Sequence, residues 1–165
     1  FINGDGVAKP TGLLHNTNGA GIGVTTAGAA LTADEIIDLV HSVKSVYRKK
    51  SVFLLNDSSI KAIRKLKDGN GQYLWQPGLK EGQPDKLLNY RLVTSAYMPE
   101  VAAGAKPILF GDFSSYWIAD RQGRSFQRLN ELYAATGQVG FRATQRVDGR
   151  LVLAEAMKCL QVKGA

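Results

Sequence analysis

The chain has 165 residues, of which 44% are hydrophobic, 18 are Gly and 5 are Pro. This composition predicts a folded protein with a buried core, and it excludes a collagen-like or disordered polymer. The net charge of +7 at pH 7 coincides with one segment, Lys44 to Lys67, which holds eight basic residues and a single acid, Asp57. The rest of the chain carries equal numbers of both signs.

The opening of the chain carries no signal for secretion or membrane insertion. Phe1–Gly6 has neither the positively charged start nor the apolar stretch of a signal peptide, and the missing initial Met suggests a processed or truncated product. The longest uncharged stretch, between Pro10 and Asp34, is rich in Gly, Thr and Ala, so no membrane partner is predicted. The single cysteine, Cys159, excludes an internal disulfide and suits a reducing compartment.

Helical signals come early in the chain. Gly and Asn recur from Phe1 to Gly28, which predicts irregular structure there. Thr32 and Glu35 have the spacing of a capping box, and apolar residues then recur at helical spacing, so a helix is predicted from Ala33 to Tyr47. A second helix is predicted after the next strand, capped by Asn56 or Asp57, with Ile60, Ile63 and Leu66 on its apolar side.

Strand signals dominate the remainder, and these strands are interrupted by turn signals at Gln122-Gly123 and Asp148-Gly149. The predicted strands are Ser51–Leu55, Tyr73–Trp75, Tyr90–Ser95, Pro107–Phe110, Tyr116–Asp120, Val139–Val147 and Leu151–Leu153. Because helices and strands do not alternate regularly, an α+β fold is favoured over a doubly wound sheet. The predicted core consists of Ile36, Val40, Val43, Val52, Leu54, Ile63, Leu66, Val93, Leu109 and Phe141.

No combination of residues predicts catalysis. His15 and His41 are far apart, one cysteine cannot complete a zinc site, and no Gly-x-Ser-x-Gly is present. Gly19, Gly21 and Gly23 lack the spacing of a phosphate-binding loop and are interpreted as a flexible turn. Asp112, between aromatic residues, is interpreted as a turn or cap residue. We therefore predict no catalytic residue, metal or cofactor.

One electrostatic feature stands out, which we call the basic segment. The favoured interpretation is the solvated surface of helices, and contact with nucleic acid or a neighbouring subunit remains an alternative. A concave pocket is not expected. The segment consists of Lys44, Arg48, Lys49, Lys50, Lys61, Arg64, Lys65 and Lys67.

Six segments, in order, resemble the tailed-phage (prophage) major capsid proteins of the Hong Kong 97 type. No single segment is specific, but their order and spacing cover the whole chain. They are Phe1–Leu14, Leu31–Asp34 with Tyr47-Arg48 and Val52–Asn56, Lys65–Leu74, Met98–Pro99 with Ile108–Phe113, Tyr116–Arg121, and Gly140–Arg142 to Arg146–Arg150 with Ala156 beyond.

The resemblance implies the C-terminal two-thirds of such a subunit. It implies an axial domain with a mixed sheet and flanking helices at residues 13–138, and peripheral-domain pieces at residues 1–12 and 139–165. The family's N-terminal arm, extended loop and most of its spine helix would lie upstream of Phe1. Some members crosslink through an asparagine, but none follows Asn130, so crosslinking residues are not assigned.

The function implied is structural. Subunits of this family self-assemble into pentamers and hexamers around packaged DNA, so a homo-oligomer located in the virion capsid, and in the bacterial host cytoplasm during assembly, is expected. This chain alone is expected to be a monomer or weak oligomer. One alternative is an encapsulin, which shares the fold but encloses protein cargo. The other is a basic nucleic-acid-binding module that uses residues 44–67.

Overall fold

The computed structural model describes residues 1–67, 71–73 and 86–164. Its helices are α1 (Ala33–Ser42), α2 (Ser45–Arg48) and α3 (Asp57–Arg64). Its strands are β1 (Gly21–Thr25), β2 (Val52–Leu55), β3 (Lys86–Leu87), β4 (Tyr90–Thr94), β5 (Ile108–Gly111), β6 (Tyr116–Leu129), β7 (Gly140–Leu151) and β8 (Met157–Gln161). The predicted α+β fold class is confirmed.

A mixed six-stranded sheet has the order β1-β8-β5-β2-β4-β3. β1 pairs parallel with β8 and β2 pairs parallel with β4, whereas the other neighbours are antiparallel. Strands β2 and β5 lie inside the sheet with both faces covered, which explains their continuous apolar sequences. The predicted strands Ser51–Leu55, Tyr90–Ser95 and Pro107–Phe110 are confirmed to within one residue at each end.

Each face of this sheet carries its own hydrophobic cluster. On one face Phe53 and Phe110 pack with α1 and α3, and their ring centroids are 4.5 Å apart. On the other face Leu54 and Leu109 pack with Met157. Of the ten predicted core residues, six are buried, namely Ile36, Val40, Val43, Leu54, Ile63 and Leu109. Val52, Leu66 and Val93 are half-buried, and Phe141 is exposed, so its assignment to the core was wrong.

The first helix begins as predicted but ends early. The Thr32 hydroxyl accepts a hydrogen bond from Glu35 N at 3.3 Å, and the Glu35 carboxylate accepts one from Thr32 N at 2.9 Å. The helix was predicted to reach Tyr47, but the backbone turns extended at Val43. The Arg48 side chain explains this, because it donates to the carbonyls of His41 and Val43 that would otherwise need helical partners.

Local signals were misleading in the glycine-rich opening. Residues 1–28 were predicted to be irregular and Gly21 and Gly23 to be a flexible turn, but Gly21–Thr25 is strand β1. It pairs with β8, more than 130 residues away. A Cβ at Gly23 would lie 2.4 Å from the Ser42 hydroxyl, so glycine here permits close approach of α1.

β6 and β7 form a separate two-stranded hairpin, for which two turn predictions were wrong. Gln122-Gly123 lies inside β6, at a bulge between Arg121 and Ser125, and Asp148-Gly149 lies inside β7. The pairing of the two long strands overrides both local turn signals. Of the strand predicted at Leu151–Leu153, only Leu151 lies in a strand, as the last residue of β7, so this prediction was wrong.

Part of the predicted central region lies outside the described residues. Tyr73 forms an isolated antiparallel bridge with Lys67, whereas the rest of the predicted strand Tyr73–Trp75 is not among them. The second helix is capped by Asn56, whose Oδ1 accepts from Ser58 N at 3.1 Å. In the described ranges α1 is the longest helix, at ten residues, and no helix there has the length and apolarity to cross a membrane.

Candidate functional site

The basic segment lies along α2, α3 and their flanking turns. Seven of its eight side chains are exposed and Arg48 is half-buried. Some are engaged within the chain: Arg48 caps α1, and Lys67 lies 4.9 Å from the centre of the Tyr73 ring. This exposure agrees with the interpretation of the segment as a helix surface. Contact of the segment with nucleic acid or with a neighbouring subunit stays a prediction.

Lys44 belongs to a small polar cluster with Glu155. The Lys44 Nζ is 2.5 Å from one Glu155 carboxylate oxygen, and the Tyr47 hydroxyl donates to the other at 2.6 Å. The hydrogen bonds from Lys44 and Tyr47 lower the pKa of Glu155, and the bond to Glu155 raises the pKa of both Lys44 and Tyr47. The cluster joins α2 to the turn that precedes β8.

Among the described residues, the contacts that join the hairpin to the six-stranded sheet and the N-terminal residues lie at the base of the hairpin. The Phe1 ring packs edge-on against Tyr116 with centroids 6.0 Å apart, and the Tyr116 hydroxyl donates to Thr11 O at 2.7 Å. Thr11 N in turn donates to Gly149 O at 3.0 Å. Beyond this base nearly every described side chain of β6 and β7 is exposed.

One face of the hairpin is apolar. Residues that pair directly across an antiparallel ladder share a face, and alternate positions along each strand share it too. By this register Phe126 and Phe141 lie on one face, each with 74% of its surface exposed, together with Ile118 at 57%. Three polar residues interrupt this face, namely Asp120 opposite Val147, Arg128 opposite Phe141, and Gln145. We call the following set the apolar face: Ile118, Phe126, Phe141, Ala143 and Val147.

The opposite face is cationic. Arg121 is directly opposite Arg146, and none of the four arginines on this face forms an ion pair with any residue in the described ranges. Ser125 and Thr144 pair across the ladder between them through their hydroxyls. We call the following set the arginine face: Arg121, Arg142, Arg146, Arg150, Ser125 and Thr144.

The histidines and the cysteine were considered as candidate functional side chains. The described residues contain no group of three or more His, Cys, Asp or Glu that could hold a metal. The His15 Nδ1 accepts from the backbone of Thr17 and Asn18 in a turn, and His41 contacts Arg48. Burial raises the pKa of the Cys159 thiol.

Asp112 has the capping role predicted for it. Its carboxylate accepts a hydrogen bond from Ser114 N at 3.0 Å and begins the 3-10 turn Phe113–Ser115. A carboxylate with this local backbone partner stabilises the chain reversal between β5 and β6. Its place beside two aromatic residues therefore has a structural explanation.

The two-faced hairpin was missed by the sequence analysis. The signal was present in part, because apolar residues and arginines alternate from Val139 to Val147. Its partner strand, however, was predicted to stop at Asp120, so the two alternating patterns were never aligned. The observed register was needed to place Arg121 opposite Arg146 and Phe126 on the same face as Phe141.

Two of the known structures similar to this chain are capsids. The capsid of an empty GTA particle and that of a native GTA particle, both computed with C5 symmetry, are 35% identical to it, with TM-scores of 0.86 and 0.87. Both comparisons cover 99% of this chain, and the chain covers 60% and 59% of theirs. The holo-SrpI encapsulin complex from Synechococcus elongatus PCC 7942 shares the fold, with 19% identity, a TM-score of 0.64, and coverage of 97% of this chain and 57% of that one.

Comparison with the curated proteins gave no match. The chain spans about three-fifths of the length of the GTA capsid chains it resembles. The phage capsid family matches residues 1–162, which include both the six-stranded sheet and the hairpin. With this match over nearly its whole length, the chain belongs to the phage capsid family.

Proposed function

We propose that this chain is the shell-building part of a phage major capsid subunit, which self-assembles into pentamers and hexamers that enclose DNA. Membership of the phage capsid family and 35% identity to the GTA particle capsids support this function. The subunit acts in the virion capsid and is assembled in the cytoplasm of the bacterial host. It has a structural role and no enzymatic one.

The observation that carries the proposal is the exposed apolar face of the hairpin. An isolated two-stranded hairpin is only marginally stable in water, and exposed apolar patches mark interaction surfaces. Phe126, Phe141 and Ile118 are mostly exposed, and no described part of the chain covers them. A subunit that buries this face upon assembly gains the stability that the isolated hairpin lacks.

The position of Phe1 suggests what covers the inner part of this face. Phe1 packs against Tyr116 and Gly149, which the register puts on the same face as Phe126 and Phe141. A segment upstream of Phe1, such as the spine helix expected from the family resemblance, would join the chain at Phe1, next to the base of the apolar face. We therefore propose that the upstream segment and neighbouring subunits together bury it.

The division into axial and peripheral domains also stays a proposal. Sequence resemblance suggested residues 13–138 for the axial domain, with residues 1–12 and 139–165 in the peripheral domain. Strand β8 pairs with β1 and β5, which favours grouping Met157–Gln161 with the axial sheet. The hairpin, Tyr116–Leu151, has its own sheet and suits the peripheral domain.

An encapsulin-type shell is the alternative within the same fold, and the two differ in what they enclose. Particles of the longer protein, produced together with its neighbouring genes, should contain DNA that resists added nuclease until the shell is opened. Particles that instead retain one protein cargo in fixed proportion, with no protected DNA, would favour the encapsulin. The third reading, a nucleic-acid-binding module using residues 44–67, predicts DNA binding that is lost when those lysines are changed.

A further inference from the structure

The arginine face concentrates positive charge in a way that the hairpin itself does not balance. Arg121, Arg142, Arg146 and Arg150 share this face with one acid, Asp148, whose carboxylate accepts from the backbone of Gly149 at 2.7 Å. The other acid of the paired strands, Asp120, is on the opposite face and accepts from Gln145. The four guanidinium groups therefore remain without ion-pair partners in the described ranges.

Their arrangement across the ladder is unfavourable without a ligand. Like charges directly opposite each other destabilise a pair of strands, and Arg121 is directly opposite Arg146. The adjacent bulge leaves a shallow concavity, lined by Arg121, Arg142 and Arg146 together with Ser125 and Thr144. An anion bound there would relieve the repulsion and accept hydrogen bonds from guanidinium and hydroxyl groups.

The chemistry of the face suits phosphate. Arg forms bidentate hydrogen bonds with phosphate oxygens, and Ser and Thr hydroxyls are common phosphate donors. Arg142, Arg146 and Arg150 recur every fourth residue on an extended strand, so they span about 26 Å at about 3.3 Å per residue. That length equals about eight base pairs of duplex DNA, and a two-stranded ribbon is narrow enough to enter the major groove.

We propose that the arginine face binds the phosphodiester backbone of nucleic acid, with Arg121, Arg142 and Arg146 at the bulge as its centre. This inference names the DNA-contacting surface of the proposed shell subunit and so rests on that function. It differs from the sequence-based alternative, which assigned such binding to the basic segment.

The test is DNA binding by the 165-residue chain, measured by fluorescence anisotropy with a labelled 20-base-pair duplex between 50 and 200 mM salt. R121Q/R142Q/R146Q should lower the affinity about tenfold or more at 50 mM salt. It should also reduce the slope of log affinity against log salt by about 2–3, since each lost phosphate contact removes about 0.9. R121K/R142K/R146K, which keeps the charges, should retain most of the slope.

The matched control is K49Q/K50Q/K61Q, which removes the same charge from exposed positions of the basic segment. It should keep most of the affinity. Loss of binding by the control alone would move the site to the basic segment, and equal loss by both would reduce the effect to net charge. Either of these two outcomes overturns the proposal. Tighter binding of polyglutamate than of the duplex would also overturn it, and so would the absence of any binding to the duplex. None of these outcomes depends on shell assembly, which is tested separately.

Discussion

Phe126 and Phe141 lie at diagonal positions on the same face of the β6–β7 hairpin, and each has 74% of its surface in solvent. Phe126 pairs directly with Ala143, two residues from Phe141. Diagonal neighbours at this spacing are close enough for aromatic side chains to interact. Two adjacent exposed phenylalanines support the proposal that assembly covers this face of the hairpin.

Replacing both phenylalanines should separate folding from assembly. F126T/F141T keeps strand propensity and should change the free energy of unfolding of the 165-residue chain by less than about 0.5 kcal/mol, because both side chains are exposed. The same change in the longer protein should prevent shell formation, since each buried Phe contributes about 1.5–3 kcal/mol. Urea denaturation and electron microscopy provide the two measurements.

A core substitution provides the contrast. Leu109 is fully buried in β5, and Leu109→Ala should cost about 2–5 kcal/mol of unfolding free energy. If F126T/F141T destabilises the isolated chain as strongly as this, the two rings support the fold of the hairpin and are not reserved for a partner.

The Glu155 cluster predicts a pH-dependent contribution to stability. Hydrogen bonds from Lys44 and Tyr47 lower the pKa of Glu155 below its ordinary value of 4.5, so the folded state favours the carboxylate. That stabilisation is present above pH 4.5 and is lost as the pH falls through the lowered pKa. Glu155→Gln should therefore melt at a lower temperature than the natural chain at pH 7, and the difference should shrink as the pH is lowered below 4.5.

Glu100→Gln is the matched control, because Glu100 is an exposed carboxylate on another surface loop. Its melting temperature should follow that of the natural chain at pH 7 and at pH 3. A difference for Glu155→Gln that persists unchanged at pH 3 would show that the effect does not come from the ionised carboxylate.

Gly111 should be intolerant of a side chain. It ends β5 at a φ of +155°, and a Cβ there would lie 2.4 Å from the carbonyl oxygen of Ala156 and 2.6 Å from the Cα of Met157. Both neighbours are backbone atoms in or next to β8 and cannot move aside cheaply. Gly111→Ala should destabilise the chain by about 1–3 kcal/mol, as measured by urea denaturation.

Gly28→Ala is the comparison variant for this site, since a Cβ at Gly28 meets nothing within 4 Å. It should leave the free energy of unfolding within about 0.5 kcal/mol of the natural chain. Equal effects at Gly28 and Gly111 would mean that glycine flexibility, and not close packing of β5 on β8, determines the cost.

Features fixed by neighbours in sequence were predictable here. The capping box of Thr32 and Glu35 uses residues three apart, and the continuous apolar sequence of β2 reflects burial on both faces. Strand β1 was not predictable, because only pairing with the distant β8 makes its glycine-rich sequence a strand. The end of α1 at Ser42 likewise depends on the Arg48 side chain, which competes with the apolar periodicity.

The hairpin is the part of the fold that local sequence patterns predicted least well. Gly123 and Gly149 look like turn residues locally, yet the long antiparallel pairing holds them inside strands. The alternation around Phe141 correctly indicated one apolar face, but a pattern of residues does not state what covers that face. Phe141 was assigned to the core for this reason, and the arginine face on the other side of the strand was not predicted.

We propose that the chain builds a shell, and that shell formation needs contacts made by segments outside these 165 residues. Stable specific interfaces bury about 1,200–2,000 Å² in total, and the family resemblance implies that an upstream arm and an extended loop supply part of this area. Like subunits of net charge +7 also repel at low salt. The isolated 165-residue chain should therefore be a monomer or a weak small oligomer in dilute solution.

Light scattering combined with electron microscopy, applied to the 165-residue chain and to a longer protein with the upstream segment, tests this most directly. Monomers or small oligomers are expected from the first and closed shells from the second. Closed shells from the 165-residue chain alone would contradict the role given to the upstream segment. A longer protein that never assembles, even with its phage partners, would contradict the capsid function itself.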